Sequence, residues 1–260
     1  LCGEKVVIKK ERTIKHFLGQ VFSAFTFADN KAWKTFMYLF TKPGILPKRF
    51  VQGQRKVFIA PLPFFLLINL IYFFINPLDT FNSRLVSQLG GQPYSGLIQG
   101  YAELAMQNSG LSQQVFESTY NSSSENISKS ILLLFPILFA FPLWGLFHKR
   151  SSYLFDHLML SISFMSFVLL GLLLLFPLLI IGLFYIIGQL GGAADFDWNG
   201  YMITLTSLTL FGIYLTAAIK NFYEVNLKRA LLATAILLVA FAILMYLYRF
   251  ILFFLTIWSI

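Results

Sequence analysis

From Leu158 to Leu190 the chain runs without one Asp, Glu, Lys, Arg or His. At about 1.5 Å of rise per residue, a helix of that length is near 50 Å long, well beyond a hydrocarbon core of about 30 Å. Two full crossings would need about 40 residues and a polar turn, yet Leu174-Leu175-Phe176-Pro177-Leu178-Leu179 offers no turn residue. The reading is one long tilted helix, kinked near Pro177. Four more apolar runs have spanning length: about Val57 to Asn76, with Pro61 and Pro63 in its first turn; Ile131 to Phe147; Tyr201 to Ile219; and Ala230 to Ile260, interrupted by Arg249. In the second, Pro136 and Pro142 free carbonyls that lipid cannot satisfy, which predicts a kinked helix packed against neighbours.

Composition agrees. Charged residues make up 12% of the 260, against about 25% in a soluble domain. The expected fold class is all-α, a polytopic membrane helix bundle of five spans preceded by amphipathic cytoplasmic helices. Residues 1–56 form the basic cytoplasmic segment, and residues 57–260 the membrane domain, with an outer loop at 77–130.

Lys and Arg are retained on the cytoplasmic side, so their distribution orients the spans. Twelve precede the first span, the loop 77–130 holds Arg84 and Lys129, the turn after span two holds Lys149 and Arg150, and that after span four holds Lys220, Lys228 and Arg229. With the N-terminus inside, seventeen lie inside and two outside. Five spans then place the C-terminus outside, and the first span serves as an uncleaved insertion signal.

Before the first span, Ile14, Phe17, Leu18, Val21, Phe22 and Phe25 recur at helical spacing. This predicts an amphipathic helix at headgroup level, with Lys9, Lys10, Arg12 and Lys15 facing anionic lipid. Packing under the bundle as a juxtamembrane anchor is the alternative. A second helix, about Lys31 to Phe40, is predicted to place Trp33, Phe36, Met37 and Phe40 on one side and to stop before Pro43-Gly44. Membrane lipids and a membrane protein partner are the expected partners; topology explains the positive charge better than nucleic acid does. In the outer loop, Leu97, Ile98, Tyr101, Leu104 and Ala105 form a helical stripe, and 111–120 could form another, together a small lid. Asn121-Ser122-Ser123 and Asn126-Ile127-Ser128 fit the glycosylation pattern.

No span carries Asp, Glu, His or Lys in its middle, which takes support from an ion-coupled transporter. His-Glu-x-x-His, Gly-x-Ser-x-Gly, the phosphate-binding glycine loop and the dinucleotide glycine motif are all missing, so the expectation is a protein that is not an enzyme. Asp156-His157, with His148 across the same turn, could bind a metal or could cap and join helix ends. Arg249 either snorkels to the outer headgroups or forms a structural ion pair with Asp79, Asp195 or Asp197. The function expected is a scaffold, or a lipid- or partner-interacting component of the membrane. The alternative is a transporter or channel for a small solute, lined by hydroxyls at Ser161, Ser163, Ser166, Thr204, Thr206, Ser207 and Thr209.

The only cysteine, Cys2, is followed by Gly3 in a chain that opens without Met. It reads as the end of a zinc knuckle whose first half lies upstream, or as an isolated cysteine. No other cofactor is expected. Several segments together resemble a bacterial inner-membrane family known as domain of unknown function three-six-six-seven. They are Thr35-x-x-x-Leu39-x-x-x-Pro43-Gly44, Arg49-Phe50-Val51-x-Gly53-Gln54-Arg55 and Pro61, then Ser128-Lys129 before the Pro136 helix. The basic turn His148-Lys149-Arg150, Phe155-Asp156-His157 followed by Ser161, and Ser166-Phe167 complete the set. Members often begin with a Cys-x-x-Cys-Gly zinc-ribbon-like segment, so the resemblance implies a truncated ribbon at Cys2, with structural zinc upstream. Members often carry a further histidine where this chain has Ser161 and Ser163. The family brings no known activity.

Overall fold

The computed structural model describes residues 30–54, 56–75, 80–151, 153–189 and 200–260, the side chains of 183–185, 187–188 and 200–204 excepted. Cys2, Lys9, Lys10, Arg12, Lys15 and the amphipathic stretch at 14–25 lie outside the described residues, as do Asp79, Asp195 and Asp197. Every regular element among the described residues is helical: α1 (30–41), α2 (Ile45–Val51), α3 (Pro61–Ile75), α4 (Leu85–Gly90), α5 (Ser95–Ser109), α6 (Gln113–Ile131), α7 (Phe135–Phe147), α8 (Leu154–Phe167), α9 (Phe176–Gln189), α10 (Gly200–Tyr223) and α11 (Leu227–Trp258). Three continuous stretches are long and apolar enough to cross a membrane: Gln113–Phe147, Leu154–Gly182 and Leu227–Trp258. The chain therefore reads as an integral membrane protein. The described 15 residues of α3 rise about 22 Å, short of an average hydrocarbon core.

At the centre stands α8. From Met159 to Leu172 every residue is buried, the mark of a helix enclosed on all sides. It packs against α7, α3 and α2, while α11 closes over α7, α6 and α10. Phe139 stacks on Phe164 with ring centroids 5.4 Å apart, and Phe167 lies flat on Tyr214 at 3.5 Å.

The long run is one helix, continuous from Leu154 to Gln189, as the missing turn residues require. Its irregularity sits earlier than Pro177. Residues Val168–Leu175 form a wider π-helical stretch, and Pro177 is the second residue of α9. A proline has no N–H for the carbonyl four residues back and its ring crowds that carbonyl, so the disturbance falls on the turns before it. Before Pro136 the same physics gives a 3-10 turn at Leu132–Leu134, which joins α6 to α7. The second span is thus the second half of a longer helix whose first half is polar. Ser161 donates its hydroxyl to the Pro136 carbonyl across the α7/α8 contact at 2.6 Å.

Two faces differ from expectation. In α1 the inward residues are Thr35 and Leu39, with Phe36 and Phe40 half-buried beside them, while Trp33 is 64% and Met37 39% exposed. In α5 the buried row is Ile98 and Ala102, whereas Leu97, Tyr101 and Leu104 are exposed. The apolar stripe in each helix is wider than the row that is fully buried, and the neighbouring row stays largely exposed, with Tyr101 of α5 touching Phe254 at its edge.

The helices between α3 and α7 pack as a lid on the end of α11. Leu85, Ile98, Ala102, Phe116 and Tyr120 pack on Phe253 near the end of α11. Asn121, the first residue of a glycosylation pattern, accepts the backbone N–H of Leu85 at 3.0 Å and so starts α4.

The α1–α2 turn docks on α10 through backbone. Gly44 has φ +78°, and a Cβ there would sit 2.3 Å from the carbonyl oxygen of Ala218. Gly53 also has positive φ, +90°, but faces open space. Gly44→Ala should therefore cost about 3 kcal/mol or more, combining left-handed strain with a backbone clash. Gly53→Ala should cost about 1–2 kcal/mol, the strain alone. Unfolding of the two purified variants in detergent checks the difference; equal losses would mean that the Gly44 approach is not close.

Candidate functional site

One end of the bundle gathers α2, the α7–α8 turn and the α10–α11 turn around a cavity of about 270 Å³ whose lining includes Lys48, Arg150, Ser151, Asp156, Tyr223 and Glu224. Lys48 reaches it because α2 packs on α8 and α10. Its ammonium donates to Glu224 Oε1 at 2.5 Å and to the carbonyl of Asn221 at 3.3 Å, and Asn221 Nδ2 returns a bond to the Pro43 carbonyl at 2.9 Å. Glu224 adopts φ +54°, unusual for a residue with a Cβ. Ending α10 in this conformation turns the chain toward Asn226, whose side chain caps α11 by accepting from the Arg229 N–H at 3.0 Å.

His157 lies behind the cavity, fully buried. Its Nδ1 is 2.6 Å from the Tyr223 hydroxyl and its Nε2 3.0 Å from the Ser151 carbonyl. A carbonyl can only accept, so Nε2 carries the proton, and the neutral ring accepts the Tyr223 O–H at Nδ1. Tyr223 in turn stacks flat on Phe147, with centroids 4.1 Å apart. The imidazole thus ties the α7–α8 turn to the end of α10.

The residues suggested for a metal do not converge. Asp156 accepts the Ser151 hydroxyl, His148 bonds back to Gly145 of its own helix, and both nitrogens of His157 are engaged. Among the described residues, no three of His, Cys, Asp and Glu are placed to hold a metal ion. Of the hydroxyls, Ser166 bonds to the Ile162 carbonyl and Thr209 to that of Leu205, while the buried Ser163 hydroxyl has no partner.

At the opposite end Arg249 is half-buried. It donates from Nη2 to the Thr80 carbonyl at 3.2 Å and from Nη1 to Gln92 Oε1 at 3.4 Å, and its own carbonyl accepts from Gln88 at 3.0 Å. Tyr94 donates to Gln88 Oε1 at 2.7 Å; burial pushes its phenol up to about 12, so it keeps that proton. Of the aromatic residues near it in α11, Tyr246 and Trp258 are exposed, but Tyr248 is buried, its hydroxyl facing the Phe81 and Ser128 carbonyls.

Sequence reasoning missed Lys48, Asn221, Tyr223 and Glu224. One signal was present: Glu224 is the sole acid between Lys220 and Arg229, an anomaly in a basic turn. Its carboxyl is held below the usual carboxylate range by the Lys48 hydrogen bond and charge. A depressed pKa contributes stability above the unfolded value, lost as pH falls through the folded one. Glu224→Gln should therefore flatten the acid side of the stability profile and leave its neutral-to-alkaline shape unchanged. Tyr223→Phe keeps the stacked ring and orphans a buried imidazole nitrogen, at about 1–3 kcal/mol. Detergent unfolding against pH reads both.

No curated protein and no solved structure matches the chain. Residues 29–73 match the model of the family described as protein of unknown function, DUF3667, the family that the sequence resembles. That stretch holds α1, α2 and nearly all of α3, and it contains Thr35, Leu39, Pro43, Gly44, Arg49 and Pro61 of the resemblance.

Proposed function

We propose that this protein is a non-enzymatic component of the bacterial inner membrane, a scaffold that engages anionic lipid and a membrane partner through its basic end. In this reading five spans cross the bilayer, with the N-terminus in the cytoplasm and the C-terminus outside, and α3 and α10 complete the set begun by the three longer helices. The observation that carries the reading is the gathering of Lys48, Arg150 and the Lys220–Arg229 turn at one end, opposite the sparsely basic lid. Lys and Arg retained on one side of the membrane give this arrangement. Lys9, Lys10, Arg12 and Lys15 add to the same side in the proposed topology.

A transporter lined by hydroxyls is the second reading, and the unpartnered, buried hydroxyl of Ser163 favours it. Against it, Ser161, Ser166 and Thr209 spend their hydroxyls on backbone carbonyls, and Thr216 pairs with Thr234 at 2.9 Å. Cysteine placed at Ser163 in a Cys2→Ser background would react with a small water-borne reagent only if a wet path reached it.

Two outcomes are expected in intact cells and in purified membranes. Single cysteines at Ser109 and at Lys228, again without Cys2, should label from outside at Ser109 alone; the opposite pattern would reverse the topology. Lipids that co-purify with the protein should be enriched in anionic species over the surrounding membrane, and charge reversal at Lys9, Lys10 and Arg12 should reduce that enrichment. A lipid profile equal to that of the bulk membrane would remove the lipid-interacting reading.

A further inference from the structure

Residues 30–75 contain no Asp or Glu, yet they carry Lys31, Lys34, Lys42, Lys48 and Arg49 among the basic side chains described. Lys48 has its carboxylate in Glu224. Three of the others are drawn around one pair of rings. Lys34 lies 5.9 Å from the centroid of Phe58, Lys42 4.7 Å from that of Tyr38, and Arg49 5.3 Å from Tyr38 and 6.0 Å from Phe58. The two rings touch, with centroids 4.9 Å apart, and Arg49 Nη1 donates to the Tyr38 hydroxyl at 3.4 Å. No carboxylate among the described residues pairs with these three cations. Ring faces attract cations, but they do not cancel the repulsion of three like charges.

We infer that Lys34, Lys42 and Arg49, set around Tyr38 and Phe58, form a binding site for the phosphate of an anionic lipid headgroup. The donor set fits that group: a guanidinium fork, two ammonium groups and a phenol can meet several phosphate oxygens at once. Burial alone would raise the Tyr38 phenol, but Arg49, Lys42 and Lys34 outweigh it and hold it below its ordinary value, so all three charges act on that oxygen. The surroundings favour a lipid source. Lys34 and Tyr38 form one row of α1, which Lys42 continues just past its end, and the neighbouring row carries Trp33 and Met37, exposed at 64% and 39%. An apolar row with an indole beside a cationic row is how a helix sits among headgroups. The site lies wholly within the segment matched by the family model.

This inference rests on the lipid-interacting reading above, and its test separates the two. The purified full chain is offered phosphatidylglycerol and phosphatidylcholine in micelles, with and without inorganic phosphate, and bound lipid is counted by native mass spectrometry. Lys34→Gln with Lys42→Gln, both at exposed positions, should lower phosphatidylglycerol retention about fivefold for each charge removed, and adding Arg49→Gln should lower it further. Lys149→Gln with Lys228→Gln, basic residues of the same end outside the cluster, should change it far less. If the two pairs lose retention equally, the site falls while the general lipid reading stands. If the unaltered protein does not prefer phosphatidylglycerol, both fall. If inorganic phosphate displaces the lipid at equal concentration, the site belongs to a free phosphate and the lipid assignment is overturned. Thermal unfolding verifies that each variant is folded; should the Arg49 variant fail, the two-lysine variant still decides.

Discussion

A helix enclosed on every side has no water to which its polar groups can turn, and α8 is enclosed for most of its length. Each of those groups needs a partner inside the protein or costs about 1–3 kcal/mol. The architecture around α8 supplies them. His157 is met by α10 and the α7–α8 turn, Ser161 spends its hydroxyl on a carbonyl of α7, and Ser166 folds back on its own helix. The bonds of His157 and Ser161 also fix how α7 and α10 sit against α8. The two outgoing bonds lie about one turn apart along α8, so they set the rotation of that helix as well as its contacts. Ser163 is the exception, buried between two satisfied serines with no partner of its own.

The segment shared with the family works as a wedge against that pillar. Thr35 is buried because its Oγ1 accepts the Ile59 N–H at 3.0 Å, while donating to the Lys31 carbonyl at 2.6 Å. It thus closes the loop between α2 and α3 onto α1. Leu39 fills the space one turn further on, Pro43 offers its carbonyl to Asn221, and Gly44 lets the backbone touch Ala218. The spacing Thr-x-x-x-Leu-x-x-x-Pro-Gly is then one inward row of a helix followed by its stop. Its residue types are set by a hydrogen bond, an apolar contact, a carbonyl contact and a backbone approach in turn.

Much of this was legible in the sequence because its signals were one-dimensional. The stop at Pro43-Gly44, the unbroken run from Leu158 and the helical periodicity in the outer loop each depend on local chemistry. The rows that face inward were less legible. In α5, Ile98 and Ala102 differ from Leu97 and Tyr101 by about 100° of rotation, and both rows are apolar enough to pack. The choice is made by the end of α11, more than 140 residues away in sequence. Pro177 marks a disturbance correctly but places it downstream of where the backbone absorbs it. For Asp156-His157 the sequence left two readings, a metal pair or residues that cap and join helix ends, and the bonds of His157 follow the second. Its partner was not legible, since Tyr223 gives no signal beyond being one aromatic residue in a chain with twelve tyrosines and thirty phenylalanines.

The two ends of the bundle solve the problem of charge in opposite ways. At the basic end the cations outnumber the carboxylates, and the described ion pair there, Lys48 with Glu224, leaves Lys34, Lys42 and Arg49 to aromatic faces. At the lid Arg249 of α11 meets neutral oxygens of Thr80 and Gln92, and Gln88 holds the Arg249 carbonyl while Tyr94 and Ser95 hold Gln88. Because Arg249 is only half-buried, neutral oxygens hold it without the desolvation cost of a second ion. In the proposed function that difference follows from what each end faces. An end that meets anionic headgroups gains from cations left without internal carboxylates, since a carboxylate in the same place would neutralise the attraction. An end that seals over a helix gains from turning Arg249 inward, where the guanidinium ties the 80–92 segment to α11 and fixes the lid in place.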